Sequence, residues 1–312
     1  MNKVFKKVPI PMAGLMLALA ATGNLVLSYG EVYRNIFGIL ASIILIFILG
    51  KLIIDFKDVL ENLKNPVMSS IAPTFTMGIM ILSTYINKLS SSVALSIWVI
   101  GLVLHIILIV YFTLKFILKF DVNKVLPSYF IVYVGIVVGS ITAPAYNLAK
   151  VGQGLFWFGL VSYAILLPIV IYKVFVIKKI QEPLKPILII FAAPASLCLA
   201  GYLASFPEKN MTIVGILAVL SLIMYLGSLV ILPKLLKLKF YPSYSAFTFP
   251  LVISAIAIKQ TNGFLIKKGT EIVLLKYVVY FETIVAVLIV AYVLYKYMKF
   301  LFAGNVQEKV AK

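Results

Sequence analysis

Between about residue 9 and residue 298 the sequence is a succession of apolar stretches of membrane length, separated by short charged or polar connections. A backbone inside hydrocarbon must satisfy its own hydrogen bonds, so each stretch is read as a helix. About 20 apolar residues cross the hydrocarbon. Ten segments meet that need, at about 9–28, 33–54, 68–86, 93–119, 126–148, 154–176, 184–205, 211–233, 242–262 and 271–298. The chain is 63% hydrophobic and 12% charged, and its mean hydropathy is +1.11. The class is an all-α polytopic membrane protein, with residues 1–312 read as one transmembrane domain. Connections are short, so consecutive segments are antiparallel hairpins. The longest is Asp55–Lys64, DFKDVLENLK, read as an interfacial turn or two of helix.

The segments alternate in kind. Odd ones carry proline and small residues, as in SSIAPTFTMGIM and LKPILIIFAAPASLCLAG. Even ones are heavier in Ile, Leu, Val and aromatics, as in IFGILASIILIFILGKLII. Pro11, Pro73, Pro127, Pro186 and Pro250 recur at intervals of 62, 54, 59 and 64 residues, a five-fold repeat of a helical hairpin. Pro168 and Pro233 are exceptions on even segments. Small residues permit close helix approach or line a cavity, whereas bulky branched residues suit lipid. The expectation is an inner ring of five odd helices around a central pathway and an outer ring of five straighter ones. Helix kinks lining that pathway are expected at Pro11, Pro73, Pro144, Pro194 and Pro250, one per odd segment.

The ninth segment is the most unusual. Tyr241–Ile258, YPSYSAFTFPLVISAIAI, opens on Pro242, holds Pro250 inside, and carries Ser243, Ser245, Thr248 and Ser254. A proline within a span frees a carbonyl that lipid cannot satisfy, so this helix belongs inside the bundle or beside water. The ring of Phe249 comes immediately before the expected kink.

Charge orients the chain. The net charge is +18, from lysines in short loops and one arginine, Arg34. With the amino terminus cytoplasmic, 20 basic residues fall on that side and 8 on the other, so both termini are expected in the cytoplasm of a cell-membrane protein. No run alternates aromatic with basic residues, so no nucleic-acid partner is expected. The amino terminus has signal-like character, but Pro9, Pro11 and apolar continuation through Leu27 favour a retained span.

Chemistry is sparse. The sequence has no H-E-x-x-H, no G-x-x-x-x-G-K-[ST] and no G-x-S-x-G. The single Cys198 excludes an intramolecular disulfide. No enzyme activity, cofactor or metal site is expected. His105, the only histidine, is read as an interhelical hydrogen-bonding residue. Glu282 is the only carboxylate well inside a segment. Because it lies on an even segment, it is read as a structural group, neutral or bonded to a Tyr, Ser or Thr of another helix. The rival reading is a proton or cation coupling site. The pathway is expected to lack buried fixed charge, with Lys259 near a helix end. Such a lining suits passage, since conduction needs weak sites, and lysine-rich mouths favour anions.

The five hairpins, the proline-bearing odd segments, the opening PIPMAGLMLALAATGNL and the ninth-segment AFTFPLVISAIAI resemble the tellurite-resistance/dicarboxylate transporter family. That family includes bacterial TehA-type proteins, yeast malate permease and the plant guard-cell slow anion channel. The resemblance covers nearly the whole chain. It implies a homotrimer in which each protomer has its own pore, and a phenylalanine of the ninth helix that plugs it. Phe249 matches that position, and Phe247 faces elsewhere. The function so implied is passage of small inorganic or organic anions. The alternative is a proton-coupled C4-dicarboxylate or tellurite-related secondary transporter, with Glu282 as the coupling residue.

Overall fold

The computed structural model describes residues 2–302, so Lys309 and Lys312 of the charge count lie outside the described residues. Among the described residues, which contain no strand, nine helices are long and apolar enough to cross a membrane. They correspond to nine of the ten segments. The first is Met12–Tyr29, the second Glu31–Ile54, the third Pro66–Ile86 and the fourth Ser91–Ile117. The sixth is Ala149–Ile177, the seventh Glu182–Ser205, the eighth Met211–Leu236, the ninth Pro242–Lys267 and the tenth Val273–Phe302.

The fifth segment differs from expectation. It is three short pieces, Tyr129–Tyr133, Val137–Thr142 and the tight turn Ala143–Tyr146. Gly135 is the cause. Its N–H bonds to the Phe130 carbonyl five residues back, at 3.1 Å, and the α-helical ladder lapses there. A Cβ at Gly135 would stand 2.1 Å from the Ile131 carbonyl and 2.8 Å from Met77 Sδ, so only glycine fits.

Packing follows the hairpin repeat. Each odd segment lies against the even segment that follows it. The odd segments also pack in a closed circuit, first on third, third on fifth, fifth on seventh, seventh on ninth and ninth on first. Burial separates the two rings. The most apolar stretches of the first, third, seventh and ninth segments are 78, 72, 83 and 61% buried. Those of the even segments are 22, 22, 17, 28 and 39% buried. Exposed Ile, Leu, Val and aromatic side chains of the even segments make an apolar perimeter, as lipid requires.

Polar side chains tie the rings together. His105 on the fourth segment is fully buried, with Nδ1 2.7 Å from Thr76 Oγ1 and Nε2 3.1 Å from the Val132 carbonyl. Trp98 Nε1 donates to Thr142 Oγ1 at 2.7 Å, and the hydroxyls of Ser196 and Ser221 meet at 2.7 Å. Such bonds between membrane helices contribute on average ~0.6 kcal/mol each. Their value here is to fix which inner face meets which outer helix.

The prolines act differently from expectation. Pro73, Pro194 and Pro250 do not bend continuous helices. Each lies in the first turn of a new one, Pro73–Ile86, Ala193–Ser205 and Phe249–Lys267. A missing N–H costs nothing there, and the fixed φ suits a helix start. The chain before Ala193 and before Phe249 is 3-10 helix, Glu182–Ala192 and Pro242–Phe247. Pro11 stands just ahead of the helix Met12–Val26, and Pro144 lies in the turn Ala143–Tyr146.

Candidate functional site

The odd helices run from the amino-terminal side to what we term the far side. Two cavities lie along the ring they form. The first, toward the amino-terminal side, has a volume of about 40 Å³. All five odd segments line it, through Gly14, Thr74, Phe130, Pro194 and Ser245 among others. Its wall is almost wholly apolar. The hydroxyls of Thr74 and Ser243 donate to the carbonyls of Ile71 and Pro183 and so have their own partners.

The second cavity, toward the far side, has a volume of about 410 Å³. The first, third, fifth and ninth segments line it, with Asn24, Thr142, Lys259 and Gln260 as its polar groups. Phe249 is the one residue that lines both cavities. It is 6% exposed and opens the helix Phe249–Lys267. Phe249, Ile253, Ile256 and Gln260 line the second cavity at i, i+4, i+7 and i+11, one face of that helix. Phe247 lines neither cavity. It is fully buried, its ring 4.7 Å from that of Tyr244.

The start of this helix is held firmly. Thr248 Oγ1 donates to the Ser245 carbonyl at 2.6 Å. Gly14 of the first segment lets the chain approach, since a Cβ there would lie 3.2 Å from Ser245 Cβ. Small residues in the first segment therefore set how closely the ninth can approach it.

Of the prolines expected on the pathway, Pro194 and Pro250 line the amino-terminal cavity. Pro11, Pro73 and Pro144 line neither cavity. Glu282 lies outside both linings, fully buried on the tenth segment.

The expectation of a pathway without fixed charge needs correction at Lys259. Its ammonium is half-buried in the wall of the larger cavity. It donates to the Leu25 carbonyl and to Ser28 Oγ, both at 2.6 Å, and lies 5.2 Å from the centre of the Tyr29 ring. These acceptors are neutral, and no carboxylate among the described residues pairs with it. Arg34 adds positive charge behind Asn24, whose Oδ1 accepts from Arg34 Nε at 3.0 Å. In the far-side loop, burial pushes the Lys209 ammonium below the usual lysine range, and the charges of Lys267 and Lys268 push it the same way. The far side thus carries several cations, and one of them, Lys259, stands in the wall of the roomy cavity. The sequence signal for this charge was weak, since Lys259, ten residues after Phe249, stands about 80° off the stripe that Phe249 and Gln260 share.

The family model described as SLAC1, voltage-dependent anion channel, matches residues 8–298, a span that includes all ten segments. No curated protein matches the chain.

Proposed function

The chain belongs to the SLAC1 family of voltage-dependent anion channels, and from that premise we propose that small anions cross the membrane through its ring of odd segments, with Phe249 as the barrier. Family membership supports anion transport in general, by a multi-pass membrane protein and not an enzyme. The observation that carries the finer reading is that Phe249 alone lines both cavities. A phenyl ring across a narrow apolar passage blocks it sterically and by excluding water. Lys259 raises the local concentration of anions on the far side of that ring. The weakly polar, 40 Å³ cavity beyond offers little to grip a dicarboxylate, which favours passage over carrier-type binding.

The rest of the reading follows the charge pattern and the resemblance. Residues 1–312 work as one transmembrane unit of the cell membrane, both termini lie in the cytoplasm, and three protomers assemble with separate pores. The 20 to 8 asymmetry of basic residues supports the orientation. Purified protein in a planar bilayer tests the function. Reversal potentials should follow the anion gradient and ignore the cation gradient, whereas a coupled carrier would give potentials that shift with pH.

A further inference from the structure

Among the described residues, five side chains outside both cavities have buried polar atoms without a hydrogen-bond partner, and three of them gather at one place: Glu282 with both carboxyl oxygens, Ser254 with Oγ and Tyr225 with Oη, apart from Asn87 and Tyr163. These three belong to the tenth, ninth and eighth segments. The ninth helix packs against both the eighth and the tenth, and Ser254 and Tyr225 lie near the Glu282 carboxyl, yet neither hydroxyl makes a hydrogen bond to it. Glu282 is 0% exposed and lies nine residues into its helix, roughly 14 Å along the axis. The trio therefore sits deep in the membrane.

Among the described residues, no cation pairs with it, and their ion pairs do not include Glu282. The first segment, packed against the tenth, has no titratable side chain between Met12 and Val26. The ninth helix carries Lys259, which is tied to Leu25 and Ser28 at the larger cavity, and Lys267 at its far end. In the 3-10 stretch Pro242–Phe247, Tyr244 donates to the Leu238 carbonyl. The eighth helix brings Tyr225 and, near its amino-terminal-side end, Lys234. Lys3, Lys6 and Lys7 belong to the short helix Asn2–Lys7, at the opposite end of the tenth segment from Glu282.

An ionised carboxylate alone at this depth is strongly unfavourable, so a positive species must share the site. An oxygen-ligated metal ion asks for about six donors. The trio offers four oxygens, and all three helices are continuous here, so no backbone carbonyl is free. A proton asks for one oxygen. With it in place bridging waters can complete the set: Tyr225 donates through a water toward one carboxyl oxygen, and the protonated oxygen donates through a water toward Ser254.

We propose that Glu282, Ser254 and Tyr225 form a proton-binding site deep in the membrane, and that its occupancy biases the position of the ninth helix and so of Phe249. Ser254 follows Phe249 by five residues on one unbroken helix, and Phe249 faces the pathway while Ser254 faces Glu282. The described arrangement, with Phe249 between the cavities, is the protonated one. Loss of the proton leaves an unbalanced charge that draws in water and both hydroxyls, and this arrangement loses stability relative to an open one. The consequence for flux rests on the anion-passage reading above; the proton site itself does not.

Two measurements on the purified full-length protein separate these parts. In infrared difference spectra between acid and alkaline pH, the parent should show the band of a protonated buried carboxyl, lost on alkalinisation and missing in Glu282→Gln. If the parent lacks that band, or if sodium stabilises the protein thermally in its place, the proton site is overturned whatever the flux. In liposomes, parental anion flux should rise several-fold from mildly acid to mildly alkaline pH. Glu282→Gln should hold the acid level throughout, and Ser254→Ala should flatten the profile while keeping the infrared band. A Glu282→Gln protein with the parental pH profile overturns the coupling. A parent that passes no anion at any pH defeats the functional reading, and the infrared result then stands alone for or against the site.

Discussion

The two sides of Phe249 are built differently. Toward the amino terminus the ring closes to about 40 Å³, and toward the far side it opens to about 410 Å³. The narrow side draws on the 3-10 halves of the seventh and ninth segments, through Ile187, Ile190, Ser243 and Ser245. A 3-10 helix is slimmer than an α-helix, and small or hydroxyl residues let these halves crowd together. The wide side is lined mainly by regular helix, with Lys259 and Gln260 on its wall. Charge and obstruction are thus separated along one helix. On the reading proposed above, Phe249 and Pro250 supply the closure at its start, and ten residues later Lys259 supplies the attraction. An anion would be concentrated where there is room for its water and stopped where there is none.

The largest expected effect comes from erasing the boundary. Phe249→Ala should raise single-channel conductance or flux roughly tenfold or more, the equivalent of ~1.4 kcal/mol removed from the barrier. Phe249→Leu should raise it less, because more apolar bulk remains. Equal currents from parent and Phe249→Ala across several anions would merge the two sides into one wall and remove the barrier from this residue. Next in size is the charge on the wide side. Lys259→Gln should lower anion flux about threefold at low ionic strength and less at high salt, since screening weakens an exposed field. A deficit that does not shrink with salt would make Lys259 a packing residue instead. The smallest effect on flux belongs to Phe247. Phe247→Ala should leave conductance near the parental value while lowering stability by ~3–5 kcal/mol, as a large core truncation does. Thermal unfolding in detergent, read beside the flux, checks both halves.

Much of this arrangement was legible in the sequence, because alternation of bulk reports which face meets lipid. The hairpin repeat and the two rings rest on local pattern, whereas the different roles of Phe249 and Phe247 are what the family resemblance implies. His105 was read as an interhelical bond and is one, to Thr76 and Val132. What the sequence hid depends on contacts between distant residues. The break in the fifth segment comes from Gly135 pressed against Met77, 58 residues earlier. The 3-10 character before Ala193 and Phe249 has a period too close to that of an α-helix to separate in a short apolar run. Proline was expected to kink helices, but its position relative to a helix start decides between a kink and a beginning, and Pro73, Pro194 and Pro250 are beginnings. Lys259 reads as peripheral from its distance to a helix end, because the sequence does not carry the width to which the ring opens. Glu282 reads from the sequence as neutral or bonded to a Tyr, Ser or Thr of another helix, and only three dimensions show that both its carboxyl oxygens lack a partner among the described residues.

The central claim is that one pathway runs through the ring and is divided at Phe249. Side-specific thiol labelling tests it most directly. Ala246 and Ile256 lie on the ninth segment on either side of Phe249 and line different cavities, and the native Cys198 is buried. In sealed vesicles of known orientation, a charged thiol reagent on the far side should modify Ile256→Cys and spare Ala246→Cys. The same reagent on the amino-terminal side should do the reverse, and adding Phe249→Ala should let each site react from both sides. Equal modification of Ala246→Cys from the far side with Phe249 intact would contradict the account.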